Sequence, residues 1–433
     1  MKLYHFIIYI SLFFIEPLGL FAQSFPGLAH DKNTISDIYY NPAMALNDDA
    51  YQVYVAGFSF LAGNNGYGIK KGAIGSTPQS GINYFKLPGT FTRSAWVNMD
   101  ILGPAVTFKI KKKYSFAIST RTRFMANVDN INNNLFKLID SRSTDSGFIY
   151  KINNFAFTSQ MFAEVNLMYS GYIYQSEDFN LQGGVALKIL SGIGAVGVGV
   201  PYAQFQMGPD NIPRHMSGTV NIAFTPYANT WLSSGKPFNA TDNVANNRGY
   251  GLDVGAVYYY TPTTGVHTNH DGYIFRLAAS ITDIGHINYY ASSTTGSYVG
   301  NSDTFNQNTI DKNPATTYGQ ILNKYLTDST IKQTGAKSKF KMGLPTAMHL
   351  NIDAKMGDNV GFKSYLNINL LLNLRKPSST DFSTHYISTC IIAPRFLWKN
   401  YGFGIPFSFN ANKQGFLGIV LYAGPQYIHI DPC

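Results

Sequence analysis

Residues 163–174 read Ala-Glu-Val-Asn-Leu-Met-Tyr-Ser-Gly-Tyr-Ile-Tyr. Val165, Leu167, Tyr169 and Ile173 fall on one side of a two-residue repeat, with Glu164, Asn166 and Ser170 on the other. That is the period of a strand with one apolar and one polar face. Residues 179–189 repeat the pattern, with Phe179, Leu181, Val185, Leu187 and Ile189 opposite Asn180, Gln182 and Lys188. The polar stretch 175–178 between them makes the pair a hairpin. Further on, Val220, Ile222 and Phe224 alternate with Thr219, Asn221 and Thr225, and Leu252, Val254, Ala256 and Tyr258 are spaced around Asp253. Met348, Leu350, Ile352, Ala354 and Met356 oppose His349, Asn351, Asp353 and Lys355.

Alternation alone does not say whether the polar face meets water outside a soluble sandwich or lines the inside of a barrel. Composition bears on that choice. The 433 residues include 30 Tyr and 31 Phe, only 13% are charged, and the mean hydropathy is −0.08. Soluble domains carry about 25% charged residues. A chain rich in aromatics and poor in charge, yet neutral on average, suits a wall whose side chains alternate between lipid and a polar interior. A helical membrane protein instead shows repeated apolar runs of about 20 residues. The nearest rival is 183–200, but Gly183, Gly184, Gly192, Gly194, Gly197 and Gly199 suit a bent strand better than a helix interior.

At the N-terminus a basic start at Lys2 and an apolar run from Leu3 to Phe14 precede Leu20-Phe21-Ala22. This reads as a signal peptide over 1–22, cleaved before Gln23. No Cys follows the cleavage position, so no lipoprotein anchor is expected. Cys390 and Cys433 are the only cysteines, too few for a disulfide-stapled or zinc-organised fold. The net charge of +9 suits attraction to anionic lipid phosphates or to polyanions. The basic residues are scattered apart from Lys109-Ile-Lys-Lys-Lys113, which reads as a turn, and no nucleic-acid motif is present.

Other strand candidates are 51–61, 91–98, 103–110, 113–124, 193–200, 272–283, 360–373, 385–396, 401–411 and 415–423. Together they predict an all-β, antiparallel transmembrane barrel of about 14 strands over 51–433. Polar tracts at about 62–90, 127–154, 226–249 and 285–345 read as long extracellular loops, and the short connections as periplasmic turns. The stretch 285–345 is the largest and reads as a lid, a surface for envelope protein partners, or equally a disordered tip.

After the cleavage position the chain reads Ser36-Asp-Ile-Tyr-Tyr-Asn-Pro-Ala43. This resembles the Asn-Pro-Ala element near the mature N-terminus of FadL-like outer-membrane barrels and their Bacteroidota relatives, among them the type IX secretion protein PorV and the PorP/SprF group. Gly249-Tyr-Gly-Leu-Asp-Val-Gly-Ala-Val-Tyr258, Leu277-Ala-Ala-Ser-Ile-Thr-Asp-Ile-Gly285 and Gly343-Leu-Pro-Thr346 resemble Bacteroidota barrels of the same superfamily. The likeness touches about a third of the chain. It implies an outer-membrane location and an N-terminal segment, 23–50, folded into the lumen. The ending Asp431-Pro-Cys433 departs from the terminal aromatic residue of many such barrels, so the closing strand is expected to end earlier, near Tyr422 or Tyr427.

Asn41, Pro42 and Ala43 suit a turn of the entering chain, because Pro fixes φ and Asn bonds its own backbone. Glu164, Asn166, Ser170, Asp253, Asp283 and Asp353 are the expected lumen-facing residues, with Asp253 and Asp283 lining a polar path or pairing with Arg276 or Lys355. His429, Asp431 and Cys433 lack the fixed geometry that a metal needs. Neither a nucleophile elbow, nor a metal-binding His pair, nor a phosphate-binding loop occurs, so no catalytic residue, metal or cofactor is expected and the chain reads as a non-enzyme. The leading expectation is a channel or binding barrel for small hydrophobic molecules in the outer membrane. The alternatives are an adaptor barrel in an envelope complex such as a type IX secretion assembly, and a secreted soluble β-sandwich adhesin.

Overall fold

The computed structural model describes residues 35–46, 50–69, 84–87, 92–111, 113–140, 147–207, 213–226, 228, 246–262, 273–304, 331–359, 361–398, 401–412, 414–417 and 420–423. The signal segment 1–22 and residues 424–433 lie outside them. One antiparallel sheet dominates, in which each strand pairs with its neighbour in sequence.

Several strands are interrupted and resume along the same line, so the sheet is best followed as paths. β1 runs over Tyr51–Tyr54 and Gly57–Asn64, β2 over Arg93–Ile110, β3 over Tyr114–Ile131, β4 over Ile149–Gln175 and β5 over Phe179–Met207. β6 is Pro213–Phe224 resumed at Arg248–Tyr260, for the first piece pairs with the upper half of β5 and the second with its lower half. β7 is Phe275–Tyr290 resumed at Gly296–Thr304, and β8 is Ile331–Thr334, Lys339–Gly343 and Ala347–Asn359. β9 (Phe362–Asn373), β10 (Thr389–Trp398), β11 (Tyr401–Gly404 and Phe407–Asn410) and β12 (Gly415–Leu417 and Val420–Ala423) complete the ladder. At its two ends, the Gln414 side chain donates to the Asn64 carbonyl, and Asn412 Nδ2 lies 3.2 Å from Ser94 Oγ. The ladder thus curls back on itself as a barrel.

Twelve paths are counted among the described residues, against the fourteen expected. The difference has a physical source. Segments 91–98 and 103–110 form one strand, as do 179–189 and 193–200, while 219–225 and 252–258 share one path. Bulges and glycines blur the alternation at each junction, as at the β2–β3 register shift between Leu102 and Ala105. The tract 127–154 is not simply a loop: β3 continues to Ile131, a helix α1 spans Asn133–Asp140, and β4 begins at Ile149. The described part of 285–345 is likewise mostly strand, belonging to β7 and β8. Its Asn, Ser and Thr content reflects strands extending past the apolar zone, where alternation against lipid no longer dictates composition. Residues 385–388 are not strand either, and β10 starts at Thr389.

Polarity is inverted relative to a soluble fold. Val165, Leu167, Tyr169 and Ile173 are exposed, Leu167 by 44%, whereas Glu164, Asn166 and Ser170 are buried, Asn166 leaving only 1%. An aromatic girdle follows the short turns: Phe108–Phe116 at 5.8 Å, Phe116–Tyr169 at 5.2 Å, Phe179–Tyr260 at 6.0 Å and Phe396–Phe403 at 4.8 Å between ring centroids. Gly361 makes the tight turn between β8 and β9 with φ +81°, a conformation that costs glycine little. At the opposite end β4 and β5, of 27 and 29 residues, far exceed the roughly 9–11 needed to cross a bilayer. The wall is therefore tall on one side.

Candidate functional site

The interior is filled by the chain itself, beginning with the Asn-Pro-Ala element. Two 3-10 turns, Ile35–Tyr39 and Pro42–Ala45, enter the barrel. Asn41 caps the second, its Oδ1 accepting from the Ala43 N–H at 3.0 Å. Its Nδ2 donates to the carbonyls of Ala256 and Ala279, each at 3.2 Å, and Ser280 Oγ donates to the Tyr40 carbonyl at 2.6 Å. Gly184 and Gly255, paired across β5 and β6, admit this close approach. A Cβ on Gly184 would lie 2.4 Å from the Ala43 nitrogen, and one on Gly255 2.1 Å from Asn41 Oδ1. Tyr39 donates to the carbonyls of Gly103 and Thr120 at 3.1 Å, and burial pushes its phenol up to about 12.

Above the element lies a network of buried charges. Lys188 Nζ sits 2.8 Å from Asp253 Oδ2 and 2.7 Å from Asp283 Oδ1. Arg123 Nη1 reaches Asp283 Oδ2 at 2.8 Å, and Arg121 Nη2 reaches Asp100 Oδ2 at 2.9 Å. Glu164 lies 3.9 Å from both arginines. Asp283 is aimed inward by a local irregularity: it has φ +60° at the register shift where β7 faces Leu252 and Val254. Aspartate tolerates that region better than most residues, and the bulge turns its side chain to the inner face. The sequence reading expected Arg276 or Lys355 as partners of Asp253 and Asp283. The partners are Lys188 and Arg123, because β5 is the direct neighbour of β6 and β3 faces β7 across the interior. Arg276 and Arg395 instead approach Asp353, at 3.9 and 2.7 Å. Asp353 also accepts from Tyr273 at 2.5 Å and from Asn367 at 3.1 Å.

A second inner element is the segment 374–388, which leaves β9 and crosses the barrel before β10. Its Thr384 meets Gln160 at 2.5 Å, its Ser379 carbonyl accepts from Asn221 at 3.0 Å, and Tyr386 hydrogen-bonds Arg123. His385 Nε2 lies 2.9 Å from Asp129 Oδ2. Burial lowers the imidazole pKa, but the hydrogen bond and charge of Asp129 outweigh it, so the net shift is upward. Phe382 joins an inner apolar cluster with Phe162, Leu190, Ile287, Tyr289, Phe340 and Met342.

Over that cluster opens a chamber of about 690 Å³ at the tall end. Ala223, Phe340 and Phe382 form its apolar floor, and Lys337, Lys339 and Lys341 stand along it. A smaller cavity of about 30 Å³, room for roughly one water, lies beside Asn41 and His349. Among the described residues no cluster of three metal-ligating side chains occurs. Cys390 is a half-buried free thiol, and His429, Asp431 and Cys433 lie outside the described residues.

All six expected lumen residues are buried, and the structure brings four of them, Glu164, Asn166, Asp253 and Asp283, around one network. Asp353 belongs to the separate cluster with the two arginines. Ser170 touches neither, and its Oγ has no hydrogen-bond partner. Sequence reasoning missed Asp100, Arg121 and Arg123 as members. The signal for the arginines was present: they are two residues apart on the face opposite Ile118 and Phe124.

No curated protein matches the chain. Among solved structures it is similar to the translocator domain of the autotransporter NalP from Neisseria meningitidis, with 7% identity and a TM-score of 0.33 over 87% of this chain and 90% of that one. It is also similar to a deltaS2S3 mutant of the monoaromatic hydrocarbon channel TodX, with 10% identity and a TM-score of 0.35 over 91% of this chain and 82% of that one. A model for a family of unknown function, DUF5723, matches residues 42–431, and the chain belongs to that family.

Proposed function

We propose that this protein is a non-catalytic outer-membrane barrel that binds small apolar molecules in the chamber at its tall end, with its own chain closing the interior beneath. The observation that carries the reading is the chamber itself: an apolar floor inside a wall whose outer face is apolar and whose remaining interior is polar. A pocket of that volume falls in the range of small-molecule sites, about 300–1,000 Å³. Its floor of Ile222, Ala223, Phe340 and Phe382 suits an apolar group beneath a polar rim that carries Lys337, Lys339, Lys341 and Asp381. The test is displacement of the fluorescent apolar probe N-phenylnaphthylamine from the purified full chain in bilayers. Saturable binding that weakens at least about tenfold in Phe382→Asp, a polar group placed in an apolar floor, is the expected result. Binding that is unsaturable, or identical in Phe382→Asp, would count against it.

A second reading, an adaptor barrel in an envelope assembly, is favoured by the filled interior and by the wall of β4 to β7 that rises beyond the apolar zone. It predicts a stoichiometric partner on purification in mild detergent from native membranes. A lone monomer would oppose it.

A further inference from the structure

The outer face of β6, β7 and β8 changes character along its height. From Tyr260 up to Tyr250 is about ten residues, which at ~3.3 Å each and a tilt of ~40° spans about 25 Å, the height of an apolar band. Within that span the outward residues include Val254, Leu277 and Ile284, each about two-fifths exposed. At its top stand Tyr250, 75% exposed, and Tyr290. Level with these tyrosines the register places the bases: Arg248 faces Asn288, which faces Lys341; Tyr250 faces His286; Tyr290 faces Lys339. Lys339 Nζ lies 4.7 Å from the Tyr290 ring centroid. Lys337 and Lys332 stand higher on the same path. The register sets Lys332 level with Tyr202 of β5 and Lys341 level with Ser191, about 28 Å apart at ~3.3 Å per residue and a tilt of ~40°. Arg248, Lys339 and Lys341 are therefore the exposed cations at the tyrosines. Asp381 is the one acidic side chain among the described residues lining the adjoining chamber.

A row of cations directly above an apolar band and beside interfacial tyrosines sits where lipid phosphates lie. We infer that Lys339 and Lys341, with Arg248, form a docking surface for phosphate-bearing lipid headgroups of the leaflet at the tall end. The inference rests on the barrel spanning a membrane. The lipid, rather than a soluble phosphate, is favoured because Arg248, Lys339 and Lys341 are exposed side by side on the outer face contiguous with the apolar band, where Lys339 and Lys341 also rim the open side of the chamber.

The full chain in neutral detergent would be offered equimolar phosphatidic acid and phosphatidylcholine, with retained lipid measured by native mass spectrometry. The wild type is expected to retain phosphatidic acid about tenfold over phosphatidylcholine, a preference of the size that several interfacial lysines supply. The combined variant Arg248→Gln, Lys339→Gln, Lys341→Gln is expected to fall to near parity while keeping heat-modifiable gel migration, and Lys332→Gln with Lys337→Gln is expected to keep the preference. Equal preference in wild type and the triple variant would overturn the inference, as would full displacement by millimolar inorganic phosphate, which would assign the surface to a soluble anion. A folded, membrane-inserted chain without preference defeats this inference alone. A chain that enters no bilayer defeats the barrel reading and the inference with it.

Discussion

Arg123 on β3 and Asp283 on β7 stand 160 residues apart in sequence, yet their side chains meet at 2.8 Å across the barrel interior. Both are buried, with Lys188 on the far side of the carboxylate. A barrel of this size whose opposite walls are tied by ion pairs is a filled cylinder, and its stability rests on those ties as well as on the wall.

Removing one partner of a buried pair leaves the other charge uncompensated. Arg123→Met is expected to lower stability by about 3–5 kcal/mol, read as the urea midpoint of the refolded barrel. Adding Asp283→Asn should recover more than half of the loss, since Asn also tolerates positive φ at the bulge. A double variant as unstable as the single one would show that the pair does not tie the walls.

Gly184 is the contact on which the Asn-Pro-Ala element rests. Gly184→Val should drive the element off the wall, because its side chain would overlap the Ala43 backbone, and residues 35–46 should become open to protease while the barrel stays folded. Asn41→Ala, which loses a cap and two hydrogen bonds, should cost about 1–3 kcal/mol with milder exposure. An element equally protected in wild type and Gly184→Val would contradict this docking.

The apolar outer face predicts that Leu167→Arg costs roughly 2–4 kcal/mol in a bilayer, whereas Leu167→Phe is tolerated. The sequence alone suggests that Ser170→Arg is tolerated too, on the inner face. The structure alters that expectation: Ser170 is fully buried and faces Gly184 in the register, so a long side chain meets the filled interior and overpacking should cost about 1–3 kcal/mol. Equilibrium refolding of the three variants decides between the faces.

His385 gives the segment 374–388 a pH dependence. Its folded pKa lies above the unfolded value of about 6.5. Its contact with Asp129 therefore contributes fully below that value and is lost as pH rises through the raised one. The Asn127 amide, which also binds His385 through its main chain, does not titrate. Hydrogen exchange across 374–388 is expected to quicken from pH 6 to pH 8.5 beyond the intrinsic rate, and His385→Gln should abolish the difference. A wild type without that difference would contradict the account.

What the residues reveal unaided follows from the range of each interaction. Alternation in 163–174 and 179–189 is local and names the outward face, because lipid-facing positions must be apolar wherever the strand crosses. The partners of Asp253 and Asp283 depend on how far apart β3 and β7 lie around a closed wall, which no local pattern encodes. The segment 374–388 is not legible as an inner element, with 385–388 reading as the start of a strand, because its Ser and Thr residues bond wall groups that only the closed barrel brings near. The length of β4 and β5 was hidden for the opposite reason: glycines at 192, 194, 197 and 199 make room for neighbours such as Phe382 and the Ser379 backbone, and so dilute the alternation.

The account turns on which side of the wall meets lipid. With Cys390 and Cys433 replaced by Ser, single cysteines at Leu167, Ile189 and Ile284, and at Asn166 and Ser170, would carry a fluorophore in the full chain reconstituted into bilayers containing doxyl-labelled lipid. Strong quenching at 167, 189 and 284 with little at 166 and 170 is the predicted result. Equal quenching at both sets, or a product that remains in solution without entering the bilayer, would contradict the membrane barrel itself.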